Sequence, residues 1–146
     1  MIDVAVFNAH PALRIRRAGV IAAIRCVAKG ERRKQAALSV VFVGNRTSAR
    51  MNRRFLGHAG GTDVISFPLG EGRAIEGEIY VNLDRARTQA GEYGVRFADE
   101  IRRLVVHGTL HLFGYDDRTA PLARRMKKRE DRYVAILALG RGTRRI

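Results

Sequence analysis

Two histidines four residues apart sit inside the run His107-Gly108-Thr109-Leu110-His111-Leu112-Phe113-Gly114-Tyr115-Asp116-Asp117. Residues four apart share one face of an α-helix, so both imidazoles can aim at a single point. Gly114 can adopt the left-handed conformation that ends a helix and turns the chain back. The turn through Tyr115 and Asp116 then delivers Asp117 to the same place. Two neutral imidazoles and one carboxylate suit zinc, with a fourth position left open for water or substrate. Closed structural zinc sites draw on four protein ligands, often cysteines, and this chain has only Cys26, so a catalytic type of site is the better reading.

The surrounding segment sets where that site lies. Phe97, Ile101, Leu104, Val105, Gly108 and Leu112 form one apolar face, and Val106, Leu110 and Phe113 make the rest apolar as well. A helix apolar on most sides is mostly buried. The histidines therefore belong in a cleft or the interior.

The pattern H-x-x-x-H-x-x-G-x-x-D is close to that of metzincin proteases, but a metzincin carries Glu directly after the first His as the base that activates water. Gly108 stands there instead and cannot move a proton. The run is closer to another pattern, H-G-x-L-H-L-x-G-Y-D-H, and resembles the YbeY family of bacterial endoribonucleases at every specified position except the last. Thr62-Asp63-Val64-Ile65-Ser66-Phe67-Pro68 resembles the family's T-D-V-L-S-F-P, with Met51-Asn52 and Gly57 upstream. Gly77-Glu78-Ile79 is similar to its G-D-I, and Leu137-Ala138-Leu139-Gly140 to its closing segment. The resemblance runs over roughly residues 37–140.

The resemblance implies a metal-dependent, single-strand-specific endoribonuclease that acts in ribosomal RNA processing, at the 3′ end of the small-subunit RNA, and in ribosome quality control. It implies one zinc ion per chain, with His107, His111 and Asp117 as ligands, and as partners ribosomal and single-stranded RNA and the small ribosomal subunit. Asp116 is a candidate second group at the site, as proton acceptor or ligand support. Two positions depart from the family. Asp117 stands where its third ligand is His; its charge makes a bound metal a weaker Lewis acid and favours harder ions. Leu56 stands where the family has a functional arginine; Arg53 and Arg54 are nearby, and with Arg118 they are the candidate RNA contacts. Rival readings are a noncatalytic, metal-stabilised ribosome-assembly factor and a zinc peptidase.

Composition agrees with a polyanion partner. The chain has 146 residues, 28 basic and 14 acidic, for a net charge of +14. An excess of that size concerns partners rather than fold. Residues 118–146 contain ten basic residues and two acidic ones, Glu130 and Asp131, and a second cluster is Lys29, Arg32, Arg33 and Lys34. A single cysteine rules out an intramolecular disulfide, and Cys26 lies in an apolar stretch suited to packing. No signal peptide or membrane-length apolar run is legible, so no membrane association is expected and a cytoplasmic setting is.

Along the chain, residues 2–7 read as a strand, 11–28 as an amphipathic helix opening at Pro11, and 29–34 as a charged loop. Residues 38–43 read as a buried strand and 47–55 as a short helix. His58 falls in a glycine-containing surface loop. A strand over 63–67 stops at Pro68, a loop covers 69–76, and a strand covers 78–81. Asp84 is placed to cap a helix over 85–91. The histidine helix covers about 96–113. Thr119 caps the last helix, with Pro121 in its first turn, Leu122, Met126, Tyr133 and Leu137 inward and Gly140 after its end. The order βαβαββααα predicts one α/β (α+β) domain over residues 1–146, with its core over 1–140 and a basic tail over 141–146. Its architecture is a small mixed sheet of about four strands packed with about five helices.

Overall fold

The computed structural model describes residues 1–57, 60–70 and 74–140. His58 and the basic tail lie outside the described residues. The chain forms β1 (Ile2–Asn8), α1 (Arg17–Gly30), β2 (Ala36–Val43), α2 (Asn45–Leu56), β3 (Val64–Leu69), β4 (Ile75–Asn82), α3 (Leu83–Tyr93), α4 (Phe97–Leu112) and α5 (Ala120–Gly140). The strands make one sheet in the order β1-β2-β4-β3. β1, β2 and β4 are parallel, and β3 closes the edge antiparallel to β4. This is the mixed sheet with five helices that the pattern of elements implies.

Strand alternation places Val6, Leu38, Val40, Phe42, Ile79 and Val81 in the core. α4 lies in the middle, packed on β3 and β4 and flanked by α1, α3 and α5. Its residues Ile101, Leu104, Val105, Val106 and Leu110 are buried, as an all-round apolar helix requires. Gly108 permits the close approach. A Cβ at that position would lie 2.7 Å from Ile79 Cγ2 and 3.1 Å from Ser66 Oγ, and the Ser66 hydroxyl donates to the Gly108 carbonyl at 3.2 Å. The histidine helix is thereby seated against the edge strand.

Several boundaries differ from expectation, and α5 runs through Gly140 rather than ending before it. α1 begins at Arg17, because side chains organise the preceding segment: His10 Nδ1 accepts from the N–H groups of Ala12 and Leu13, and Asn8 Nδ2 donates to the Leu13 carbonyl. β3 continues through Pro68, which pairs with Gly77; at a sheet edge the missing N–H is tolerated. β4 starts at Ile75, ahead of the expected Glu78. α3 is capped by Asn82, whose side chain accepts from Arg85 N at 3.2 Å. Asp84 instead accepts from His10 Nε2 at 2.8 Å and Asn45 N at 2.9 Å, tying the ends of three elements together. In α5, Met126 and Tyr133 are buried as expected and Leu137 partly so, whereas Leu122 is exposed. Among the described residues, no helix is long and apolar enough to cross a membrane.

Candidate metal site

His107 and His111 lie on successive turns of α4, with ring centroids 4.8 Å apart. Gly114, at φ 104°, reverses the chain after the helix, and the turn brings Asp117 over both rings. Asp117 Oδ2 is 3.5 Å from His111 Nε2 and 3.9 Å from His107 Nε2. One donor atom from each of the three residues fits within a 4.8 Å cluster. Bonds of about 2 Å to a shared zinc would need only small side-chain adjustments from that spacing.

Hydrogen bonds fix which ring atoms face the cluster. His111 Nδ1 donates to the Tyr115 carbonyl at 3.1 Å. His107 Nδ1 donates to Glu130 Oε1 at 2.7 Å. Both Nε2 lone pairs therefore remain available for a cation, the arrangement by which carboxylates and carbonyls orient metal-binding imidazoles. The donor set, its tautomers and its half-exposed position all fit a divalent metal with an open coordination position.

Glu130 is a candidate site residue that reading the sequence missed. It is an acid in the most basic helix, yet it follows Met126 by four residues and precedes Tyr133 by three, so it falls on the buried stripe. That periodicity is the signal that could have found it. Its other oxygen accepts from Arg103 Nη1 at 2.8 Å. Burial pushes the Glu130 carboxyl up, but the hydrogen bond and charge of His107 and those of Arg103 outweigh it and hold the group below its ordinary value. For His107, burial lowers the pKa, but Glu130, helped by Asp117 and Asp63, raises it overall.

A second support lies behind the turn. The Glu31 carboxylate, at the end of α1, accepts from the Tyr115 hydroxyl at 2.8 Å and from the Tyr133 hydroxyl. This node joins α1, the turn that carries Asp117, and α5.

The remaining candidates are distributed differently. Asp116 faces away from the cluster: its carboxylate accepts from Arg118 Nε at 2.6 Å and from Arg118 N at 2.9 Å. It borders a hollow with Glu31, Arg33 and Tyr115 rather than the one at His107. Nothing in this placement supports a proton-transfer role for it. Arg53 and Arg54 are exposed in the last turn of α2, with Arg54 over the Phe55 ring. Leu56 lines a hollow of about 400 Å³ along β3 that also reaches His107, His111 and Asp117. A larger hollow of about 560 Å³ opens on the other side of the cluster, between α3, α4 and α5, and shares Asp63, His107 and Asp117 with the first.

The fold and the cluster define a small α/β protein whose candidate metal site is carried by a core helix and the turn that follows it. A family model described as endoribonuclease YbeY matches residues 14–138. A curated relative named endoribonuclease YbeY, from Chlorobium phaeovibrioides, is 41% identical over 118 residues, covering 81% of this chain and 80% of the relative. One from Salinibacter ruber, of the same name, is 42% identical over 106 residues, covering 66% and 68%. The chain belongs to the endoribonuclease YbeY family. A solution structure of the Thermotoga maritima protein TM1509 has the same fold, with a TM-score of 0.64 at 23% identity over 92% of this chain and 88% of that one.

Proposed function

We propose that this protein is a zinc-dependent endoribonuclease that cleaves single-stranded RNA during ribosomal RNA processing, including 3′-end maturation of the small-subunit RNA and ribosome quality control in the cytoplasm. The observation that carries the reading is the convergence of His107 Nε2, His111 Nε2 and Asp117 Oδ2 at the junction of two hollows, in a family whose relatives carry the name endoribonuclease.

His107, His111 and Asp117 would hold the cation, which when bound supplies Lewis-acid polarisation of a phosphoryl oxygen. The chain's own residues do the rest. Glu130 and the Tyr115 carbonyl keep the two imidazoles in register. Arg53, Arg54 and the surplus of cationic side chains attract the backbone of the nucleic acid and make binding salt-dependent. The hollows on either side of the cluster accept the chain before and after the scissile phosphate. The peptidase alternative conflicts with the packing at Gly108, where Ile79 and Ser66 occupy the space a basic side chain would need.

The test incubates metal-loaded protein with single-stranded RNA and, separately, with casein. RNA cleavage that disappears in His111→Ala, while RNA binding remains, is the expected result. Cleavage undiminished by that substitution overturns the metal-assisted reading. Because Leu56 lines the groove where the family has an arginine, binding without cleavage would instead favour a ribosome-assembly factor. Elemental analysis of the wild type and of Asp117→Ala tests the third ligand; equal zinc content and affinity would remove Asp117 from the set.

A further inference from the structure

Two basic clusters stand far apart in the sequence, one at Lys29, Arg32, Arg33 and Lys34 and one along α5. The fold brings an arginine from each to a single hollow of about 330 Å³ behind the turn that follows α4. Arg33 comes from the loop after α1 and Arg125 from α5. This hollow shares no lining residue with the two that meet at the candidate metal ligands.

Both guanidinium groups are held in place. Arg33 lies 5.8 Å from the centre of the Phe113 ring and donates to the Phe113 carbonyl at 3.3 Å. Arg125 lies 5.8 Å from the centre of the Tyr115 ring. The two rings are two residues apart on one turn, so the arginines face a common space. The loop that carries Arg33 is fixed as well. Arg33 N donates to the Ala28 carbonyl at 2.8 Å, and Arg32, at φ 57°, takes the left-handed position at a helix end that glycine usually fills. Both Arg33 and Arg125 are exposed, so a ligand in the hollow reaches them.

Neither charge is neutralised by a carboxylate. The two acids that border the hollow are engaged elsewhere. Glu31 accepts from the Tyr115 and Tyr133 hydroxyls and pairs with Arg129 at 3.8 Å. Asp116 pairs with Arg118 at 2.6 Å. Among the described residues, no acid lies within ion-pair distance of Arg33 or Arg125. A guanidinium seated over an aromatic ring is oriented by it, and its planar set of donors matches the oxygens of a phosphate.

We infer that this hollow is a phosphodiester subsite, in which Arg33 and Arg125 bracket one backbone phosphate of a single-stranded RNA away from the cleaved position. The choice of RNA rests on the endoribonuclease reading. The choice of a diester follows from the rim. Glu31 and Asp116 border the hollow and oppose a doubly charged anion, so a singly charged diester fits better than a free or terminal phosphate. The hollow is at the small end of ligand size, with room for one phosphate and its flanking sugars rather than a stretch of chain.

The test reads binding apart from cleavage. Fluorescence anisotropy follows a labelled single-stranded RNA of about 20 nucleotides, longer than one small groove covers, on the full-length protein. Arg33→Gln, Arg125→Gln and the double variant are compared with Arg25→Gln, a change at an exposed position of α1 outside the hollow. The single variants are each expected to weaken binding about fivefold, and the double variant less than about tenfold, because two partners of one group do not act additively. Arg25→Gln should cost less than about twofold. Losses that multiply, or an Arg25→Gln loss equal to the others, reveal dispersed surface charge and overturn the inference. So does unchanged RNA binding, the result expected if the hollow serves an acidic protein. Arg33 touches the carbonyl end of α4, so zinc affinity is measured in every variant. If Arg33→Gln alters it, Arg125→Gln against Arg25→Gln decides. Inorganic phosphate is titrated in parallel. Phosphate binding that is lost in Arg125→Gln while RNA affinity stays unchanged assigns the hollow to a free anion and overturns the diester. Cleavage is scored separately. The expected binding pattern without cleavage leaves the subsite standing and removes the nuclease, and cleavage with binding indifferent to both arginines does the reverse.

Discussion

Glu130 Oε1 accepts a 2.7 Å hydrogen bond from His107 Nδ1 across the junction of α5 and α4. The bond spans 23 residues of sequence and settles the tautomer of a candidate metal ligand from a helix that contributes no ligand itself. Replacing Glu130 with Gln keeps the volume and removes the charge. Zinc affinity, measured by competition with a chromogenic chelator, is expected to fall roughly 10- to 100-fold, the usual effect of losing such a partner. Unchanged affinity would show that the imidazole is positioned by packing alone.

The Glu31 node predicts a combined effect on folding and metal binding. Glu31→Ala leaves the hydroxyl groups of Tyr115 and Tyr133 without their carboxylate partner. A loss on the order of 2 kcal/mol in urea unfolding is expected from the unpaired buried groups. Because Tyr115 belongs to the turn that carries Asp117, zinc affinity should weaken as well. A variant that loses stability but binds zinc normally would separate the node from the site.

Glu100 makes stability depend on pH in a particular sense. Burial, with further contributions from Asp63 and Glu130 against the opposing charges of Arg103 and Lys127, pushes its carboxyl up to about 7. The folded protein therefore binds a proton more readily than the unfolded chain does. This group's contribution to stability is full below its unfolded value of 4.5 and is lost as the pH rises through about 7. Glu100→Gln removes the dependence. The variant should match the wild type near pH 4 and exceed it by on the order of 1–3 kcal/mol at pH 8, a range set by the free-energy equivalent of a pKa shift. Urea denaturation at the two pH values reads the difference.

The candidate RNA contacts should divide into two kinds. Arg53 and Arg54 lie exposed on α2, whereas Arg118 is paired with Asp116 at 2.6 Å. Arg53→Ala and Arg54→Ala are each expected to reduce the salt slope of single-stranded RNA binding by about one. Arg118→Ala should change it less, since part of its charge is already engaged. Filter-binding titrations over a range of salt concentrations test the contrast.

The sequence made the local parts of this molecule legible and obscured the long-range ones. The His107 and His111 spacing, the turn at Gly114 and the following Asp117 are short-range geometry, and the structure brings all three residues together. The strands and helices follow from hydrophobic period. What pattern alone could not supply were contacts between distant segments. Glu130 reads as one acid among arginines until α5 is laid against α4. Asp84 reads as a helix cap until His10 and Asn45 arrive from elsewhere, and Asn82 takes the cap. Pro68 reads as a strand stop until its position at a sheet edge makes its missing N–H harmless. The hollow between Arg33 and Arg125 exists only once the end of α1, the turn after α4 and α5 have assembled.

The seat of Gly108 has a consequence for how this scaffold can change. Where a zinc peptidase needs a glutamate, this helix rests on Ile79 and Ser66 with no room for even a methyl group. A conversion to proteolysis therefore meets an obstacle of packing before chemistry is considered. It would require Ile79 and Ser66 to give way or the helix to shift on the sheet, beside the two histidines. The closeness that seats the candidate cation site is also what narrows its evolutionary neighbourhood.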